Sequence, residues 1–196
     1  MPLILPIGIA TILIAGVRAL FESDIKKIVA LSTLRQLGLM VRALGVSALP
    51  VAFFHLLTHA YFKALLFMTV GNLIHLTDGF QDSRKTGANP QIIGSTLSFS
   101  LTANFSLIGL PFLAGFYSKD LIIEAPGVSS SPALVIAFFL TATLLTSAYT
   151  LRFLVSILGG KTRSPKVLWA EDLALDLPQG NTLLAPLAVI GGATLA

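Results

Sequence analysis

Apolar runs of membrane-crossing length alternate along the chain with short polar joints, at about 2–21, 28–49, 51–77, 91–125 and 132–158. A bilayer's hydrocarbon core is about 30 Å thick and takes roughly 20 helical residues to cross. Each of these runs therefore predicts a transmembrane helix. A sixth apolar run, from about 182 to 196, is too short to span at about 15 residues and is expected to be the incomplete start of a helix in a longer polypeptide. The expected fold is an all-α polytopic membrane protein in a single membrane domain over 1–196, with five full transmembrane helices and a truncated sixth.

One of the five does not fit as a straight rod. The run from Gln91 to about Ala125 would reach about 52 Å at 1.5 Å per residue. The segment LIGLPFLAGFYSKD supplies a break near 109–115, since Gly109, Pro111 and Gly115 are poor helix-interior residues and proline removes a backbone donor. Irregular backbone at membrane depth persists only when buried in protein or lining a wet cavity, and broken helices recur at ion sites in transporters. Lys119 and Asp120 follow the break directly, with Glu124 one turn beyond.

The third run contains FFHLLTHAYFKALLF, Phe53 to Phe67, in which His55, His59 and Lys63 stand four residues apart. On a helix each step of four drifts only about 40°, so all three line one face. An unpaired lysine facing lipid costs about 2.5 to 3.5 kcal/mol at the bilayer centre, which places Lys63 toward protein or water. Three readings follow: neutral packing histidines with a structural lysine link, a metal site, or a proton relay. No carboxylate or thiolate on the same helix completes a ligand set. The relay suits the residue types, because imidazole accepts on one nitrogen while donating on the other and buried lysine sheds its proton more readily. Groups four apart lie about 6 Å apart along the axis, a gap one water can bridge.

Composition fixes the solvent. Hydrophobic residues are 55% of the 196 and charged residues 11%, with mean hydropathy +0.86, far from the roughly 25% charge of soluble domains. With no cysteine there is no disulfide framework or thiolate metal site to argue from. The net charge of +4 comes from basic residues scattered between apolar runs rather than from a basic, aromatic-interleaved face, so nucleic acid is not the expected partner. The first run meets FESDIKK without a small-residue cleavage site, and no cleavable leader is expected. Lys26 and Lys27, Arg84 and Lys85, and Lys161, Arg163 and Lys166 fall in the first, third and fifth joints, while the second and fourth hold no lysine or arginine. Alternating helices put those three joints on one side, which the positive-inside rule assigns to the cytoplasm or matrix. Arg18 and Arg152 are expected to snorkel at helix ends, Asn72 and Asn104 to hydrogen-bond between helices, His75 to be interfacial, and Trp169 to anchor at the interface.

The ordered set SDIKKIVALSTLRQLGLM, FFHLLTHAYFKALLFMTVGNLIH, QDSRKTG and GLPFLAGFYSKDLIIE resembles the subunit 5 family of mitochondrial NADH:ubiquinone oxidoreductase (respiratory complex I), an antiporter-like family. The likeness runs from about Phe21 to Arg152. It implies most of the second of two inverted five-helix repeats, one helix broken, in a fold shared with cation/proton antiporters and membrane hydrogenases. It also implies a proton-translocating part of the complex I membrane arm in the mitochondrial inner membrane, with the basic joints on the matrix side. His55, His59 and Lys63 match the family's central channel residues, and Lys119 and Asp120 its broken-helix pair. No cofactor is expected in this chain; NADH, FMN, iron–sulfur clusters and ubiquinone belong to partner subunits. The implied partners are other membrane-arm subunits, the first-repeat half of the same subunit, and lipid.

In the mechanism expected from both lines, Lys63 is the central proton carrier, His55 and His59 link it by water to neighbouring stores, and Lys119 with Asp120 passes protons to the side away from the basic joints. An antiporter subunit without redox coupling, or a purely structural membrane module, remains the alternative. The chain departs from the family at Arg35, usually a small polar residue there; Arg42 shares its helical face. Arg35 is expected to pair with a carboxylate, to sit in a wet axis, or to mark a channel with altered electrostatics.

Overall fold

A computed structural model describes residues 4–77, 79–84, 94–124, 132–159 and 179–195. Among them the chain forms seven helices: α1 (Ile4–Phe21), α2 (Ile25–Gly45), α3 (Leu49–Leu76), α4 (Gly94–Ile108), α5 (Ala114–Glu124), α6 (Pro132–Gly159) and α7 (Gln179–Leu195). Four have the length and apolarity to cross a membrane, namely α1, α2, α3 and, within α6, Leu140–Leu158. The long 91–125 run is two shorter helices, α4 of 15 and α5 of 11 residues, and α7 has 17.

The α2–α3 boundary differs from the expected one. Helix α2 starts at Ile25, earlier than 28, because Asp24 holds an extended N-cap backbone and pairs with Lys27 at 2.6 Å, drawing both lysines into the first turn. It ends at Gly45, earlier than 49. Ser47 turns into the left-handed region (φ 64°), and Pro50 lies in the first turn of α3, where its missing N–H costs nothing.

The first and third joints meet at one end of the bundle. Ile25 N–H donates to Gln81 O and Ser83 N–H to Ser23 O, each at 2.9 Å, and Arg84 Nη2 donates to Ser23 Oγ at 3.1 Å. Lys26, Lys27 and Arg84 therefore share that end. Lys85, Lys161, Arg163, Lys166 and Trp169 lie outside the described residues.

Packing is inverted relative to a water-soluble protein. Ile14, Leu144, Val155 and Leu183 are exposed, while Ser32, Gln36, Thr58, Asn104 and Ser118 are buried, as expected where the surrounding solvent is as apolar as leucine. Helix α3 is central, packing on α2, α4, α5 and α7, whereas α1 lies against α2 and α6. The α1–α2 approach is close: a β-carbon on Gly38 would stand 2.5 Å from Thr11 Oγ1 and 2.8 Å from an Ile12 side-chain carbon. Among the described residues neither Asn72 nor Asn104 shows the expected hydrogen bond between helices. Asn104 Nδ2 donates to Ser100 O in its own helix at 2.8 Å, and Asn72 Nδ2 has no hydrogen-bond partner among the described residues. His75 is exposed at the end of α3.

Candidate functional site

The stripe on α3 turns inward. His55 is fully buried, His59 is 7% exposed and Lys63 4%. Because α3 is surrounded, that face meets polar groups of two neighbours. His55 Nδ1 lies 2.9 Å from Ser118 Oγ on α5, and its Nε2 lies 3.3 Å from Gln36 Oε1 on α2. The His55 and His59 rings stand 6.1 Å apart, while Phe62 meets His59 edge-on at 5.3 Å and fixes its plane. His59 Nε2 is buried without a hydrogen-bond partner among the described residues. Lys63 Nζ donates to Ser32 Oγ at 2.5 Å and to Val29 O at 3.1 Å on α2, with the Phe67 ring centroid 5.7 Å away.

The break between α4 and α5 falls at Gly109–Leu113. Gly109 N–H and Leu110 N–H both donate to Phe105 O, at 3.0 and 3.1 Å, closing α4 with Gly109 in the left-handed region (φ 89°), as glycine at a helix end allows. Phe112 also takes positive φ (70°), an uncommon state for a bulky residue, and Leu113 N–H returns to Leu110 O at 3.3 Å. Helix α5 then starts hard against α4: a β-carbon on Gly115 would overlap Ser106 O. The last carbonyls of α4 are orphaned by the break, and Lys119 fills that role. Its Nζ donates to Leu107 O and, at 3.0 Å, to Ile108 O. A cation at a helix C-terminus is also favoured by the helix dipole. Asp120, part-buried beside it, offsets part of the Lys119 charge.

The two imidazoles thus share one buried neighbourhood with both lysines. His59 lies in the electrostatic reach of both Lys63 and Lys119, and His55 bonds the residue preceding Lys119. Each of these side chains is of a type that can hold a proton, and His55, His59, Lys63 and Lys119 are all buried. Among the described residues no group of three or more histidine, cysteine, aspartate or glutamate side chains could hold a metal ion.

Arg35 is 1% exposed, and among the described residues it pairs with no carboxylate. Its Nη2 donates to Ala142 O on α6, while Nε and Nη1 have no hydrogen-bond partner among the described residues. It lines a small cavity with Leu39, Lys119, Ile122, Ala142, Thr143 and Thr146, about 20 Å³ of it open to the centre of a water molecule, which is room for one or two waters. Arg42 is buried as well. The stripe at i, i+4 and i+8 and the lysine after the break were readable from sequence. Ser32, Gln36, Ser118 and Tyr149 were not: single polar residues in apolar helices are common packing groups, and only the fold brings Ser32 to Lys63, Gln36 and Ser118 to His55, and Tyr149 to Arg35.

Comparison with known proteins gives a consistent picture. The family described as NADH:quinone oxidoreductase/Mrp antiporter, transmembrane, matches residues 1–146. Similar proteins include NADH-ubiquinone oxidoreductase chain 5 of Pongo pygmaeus, 46% identical over 163 residues, which are 83% of this chain and 27% of that one. Chain 5 of Aedes aegypti is 43% identical over 95% of this chain and 32% of its own length. Chain 5 of Lumbricus terrestris is 42% identical over 96% and 33%. The chain thus spans about a third of the length of these curated relatives. Among solved structures, a chain of an archaeal membrane-bound sulfane sulfur reductase, a respiratory membrane complex, superposes with a TM-score of 0.81 at 24% identity, over 98% of this chain and 39% of that one; this likeness speaks to the fold.

Proposed function

From the chain's membership of the NADH:quinone oxidoreductase/Mrp antiporter transmembrane family, we propose that it moves protons within the membrane arm of a mitochondrial NADH:ubiquinone oxidoreductase. In this reading α4 and α5 are one broken span, giving five spans with α7 as the start of a sixth, and the segment is most of the second of two inverted repeats. It lies in the mitochondrial inner membrane with Lys26, Lys27 and Arg84 toward the matrix. Its partners are the first-repeat half of the same subunit, other membrane-arm subunits and lipid, and redox cofactors stay in those partners.

The observation that carries the mechanism is the buried arrangement of Lys63, His59, His55 and Lys119 around α3, in which the imidazoles stand between two lysines. Lys63 is the central carrier: its Nζ gives a proton toward His59, whose ring passes one on from its other nitrogen. His55 relays through Ser118 to the neighbourhood of Lys119. Lys119, with Asp120 to balance its charge, releases the proton toward the side away from the basic joints. Water bridges the 6.1 Å between ring centroids.

Replacing Lys63 by methionine in the assembled enzyme and measuring protons pumped per electron tests this reading. Pumping is expected to fall while the chain still assembles, and unchanged pumping would sink it. The family description also names Mrp antiporters. Transport that depends on sodium and persists without NADH oxidation would favour that reading instead.

A further inference from the structure

Lys63 does not bond an imidazole. Its nearest polar partner is Ser32 Oγ, at 2.5 Å. Ser32 lines a second small cavity, together with Val29, Asn104, Leu107 and Tyr149, with about 10 Å³ open to the centre of a water molecule, which is room for a single water. Tyr149 is 2% exposed, and its hydroxyl meets the Arg35 guanidinium at a geometry short of a full hydrogen bond, which leaves its O–H free to donate elsewhere. A buried phenol normally finds a partner. Tyr149 also lies within electrostatic reach of Arg35, and Arg35 and Lys119 line the first cavity. Tyr149 therefore lines the space that reaches Lys63 through Ser32, and through Arg35 it adjoins the space that reaches Lys119.

We propose that Ser32 and Tyr149 form a second, hydroxyl branch of the proton path between Lys63 and Lys119, parallel to the branch through His59 and His55. This rests on the relay reading above. In one transfer the Lys63 ammonium gives a proton to Ser32 Oγ, while the Ser32 O–H swings from Val29 O, its acceptor at 2.7 Å, to water in the adjoining cavity. That water gives a proton to Tyr149 Oη, which releases its own to water beside Arg35, and this water protonates the neutral Lys119 amine. Each hydroxyl and water gains one proton and loses one, so Lys63 ends neutral and Lys119 charged. Arg35 keeps its proton throughout and acts as a positioning residue, holding the phenol and its water with a fixed charge.

The test compares Tyr149→Phe, Ser32→Ala, His59→Ala and Lys63→Met in the assembled enzyme. Proton pumping coupled to NADH oxidation is measured in water and in deuterium oxide, with assembly followed on native gels. Tyr149→Phe is expected to assemble normally, to lower pumping several-fold and to change its solvent isotope effect, which loss of ring packing alone does not do. Combined with His59→Ala, it is expected to abolish the pumping that depends on Lys63. Wild-type pumping in both Tyr149→Phe and Ser32→Ala, with Lys63→Met defective, overturns the hydroxyl branch and leaves the imidazole relay standing. Wild-type pumping in Lys63→Met removes the relay reading and the branch with it. If Tyr149→Phe fails to accumulate, Ser32→Ala decides alone.

Discussion

Lys63 and Lys119 are both buried and both end on backbone carbonyls, yet their settings differ. Lys63 reaches sideways from an unbroken helix to Ser32 Oγ and Val29 O on α2, a carbonyl that Ser32 Oγ also serves. Lys119 reaches back across a break to Leu107 O and Ile108 O, which no following helical turn can serve. Around Lys63 the Val29 carbonyl keeps the Ser32 hydroxyl as a partner without the lysine; around Lys119 the lysine is the side chain that serves the carbonyls freed by the break. A charge carrier free to change state suits the first setting, and one bound to a structural role suits the second.

The strongest way to break this contrast lies at the break itself. Gly115→Ala forces a β-carbon into Ser106 O, and because backbone cannot yield as a side chain can, overpacking is expected to cost about 1–3 kcal/mol or more. Assembly on native gels should fall sharply. Lys119→Ala comes next: it leaves two carbonyls unserved, at about 1–3 kcal/mol for each buried unsatisfied group, so reduced assembly should accompany reduced pumping. Lys63→Met should lose pumping with little change in assembly, since Ser32 still serves Val29 O. If Lys63→Met assembles as poorly as Lys119→Ala, the contrast between the two lysines fails. The smallest effect is expected at the basic end. Arg84→Ala removes an exposed hydrogen bond to Ser23, and a surface change of this kind should stay within about 0.5 kcal/mol, measured as thermal stability in detergent.

Much of the fold was legible because membrane spans announce themselves by length and apolarity, and because proline and glycine in LIGLPFLAGF can be tolerated only at a break. Helix ends were less legible. The extended backbone of Asp24 with its Lys27 pair, and Pro50 in the first turn of α3, moved the two helix starts, local effects that hydropathy does not see. The α3 stripe was legible since a period of four on a helix leaves no freedom about facing. Its partners were not: Ser32 and Gln36 on α2, and Ser118 on α5, come from segments 19 to 63 residues away in sequence, where no local spacing rule operates. Asn104 was misjudged as a bond between helices because an amide can serve its own helix as readily as a neighbour's.

By itself the sequence determined that this chain is an apolar, all-helical membrane protein, roughly where its helices run, that the 91–125 run is interrupted before Lys119, and that His55, His59 and Lys63 share a face. These follow from one-dimensional quantities: length against bilayer thickness, helical period and the cost of charge in hydrocarbon. Tertiary structure alone decided what each charge touches. It set Lys63 on a serine, made Lys119 the cap of a broken helix, gave Arg35 a carbonyl and a cavity, and put Tyr149 beside both Arg35 and the space at Ser32. Those pairings depend on how helices far apart in the chain pack, and packing is settled by shape in three dimensions.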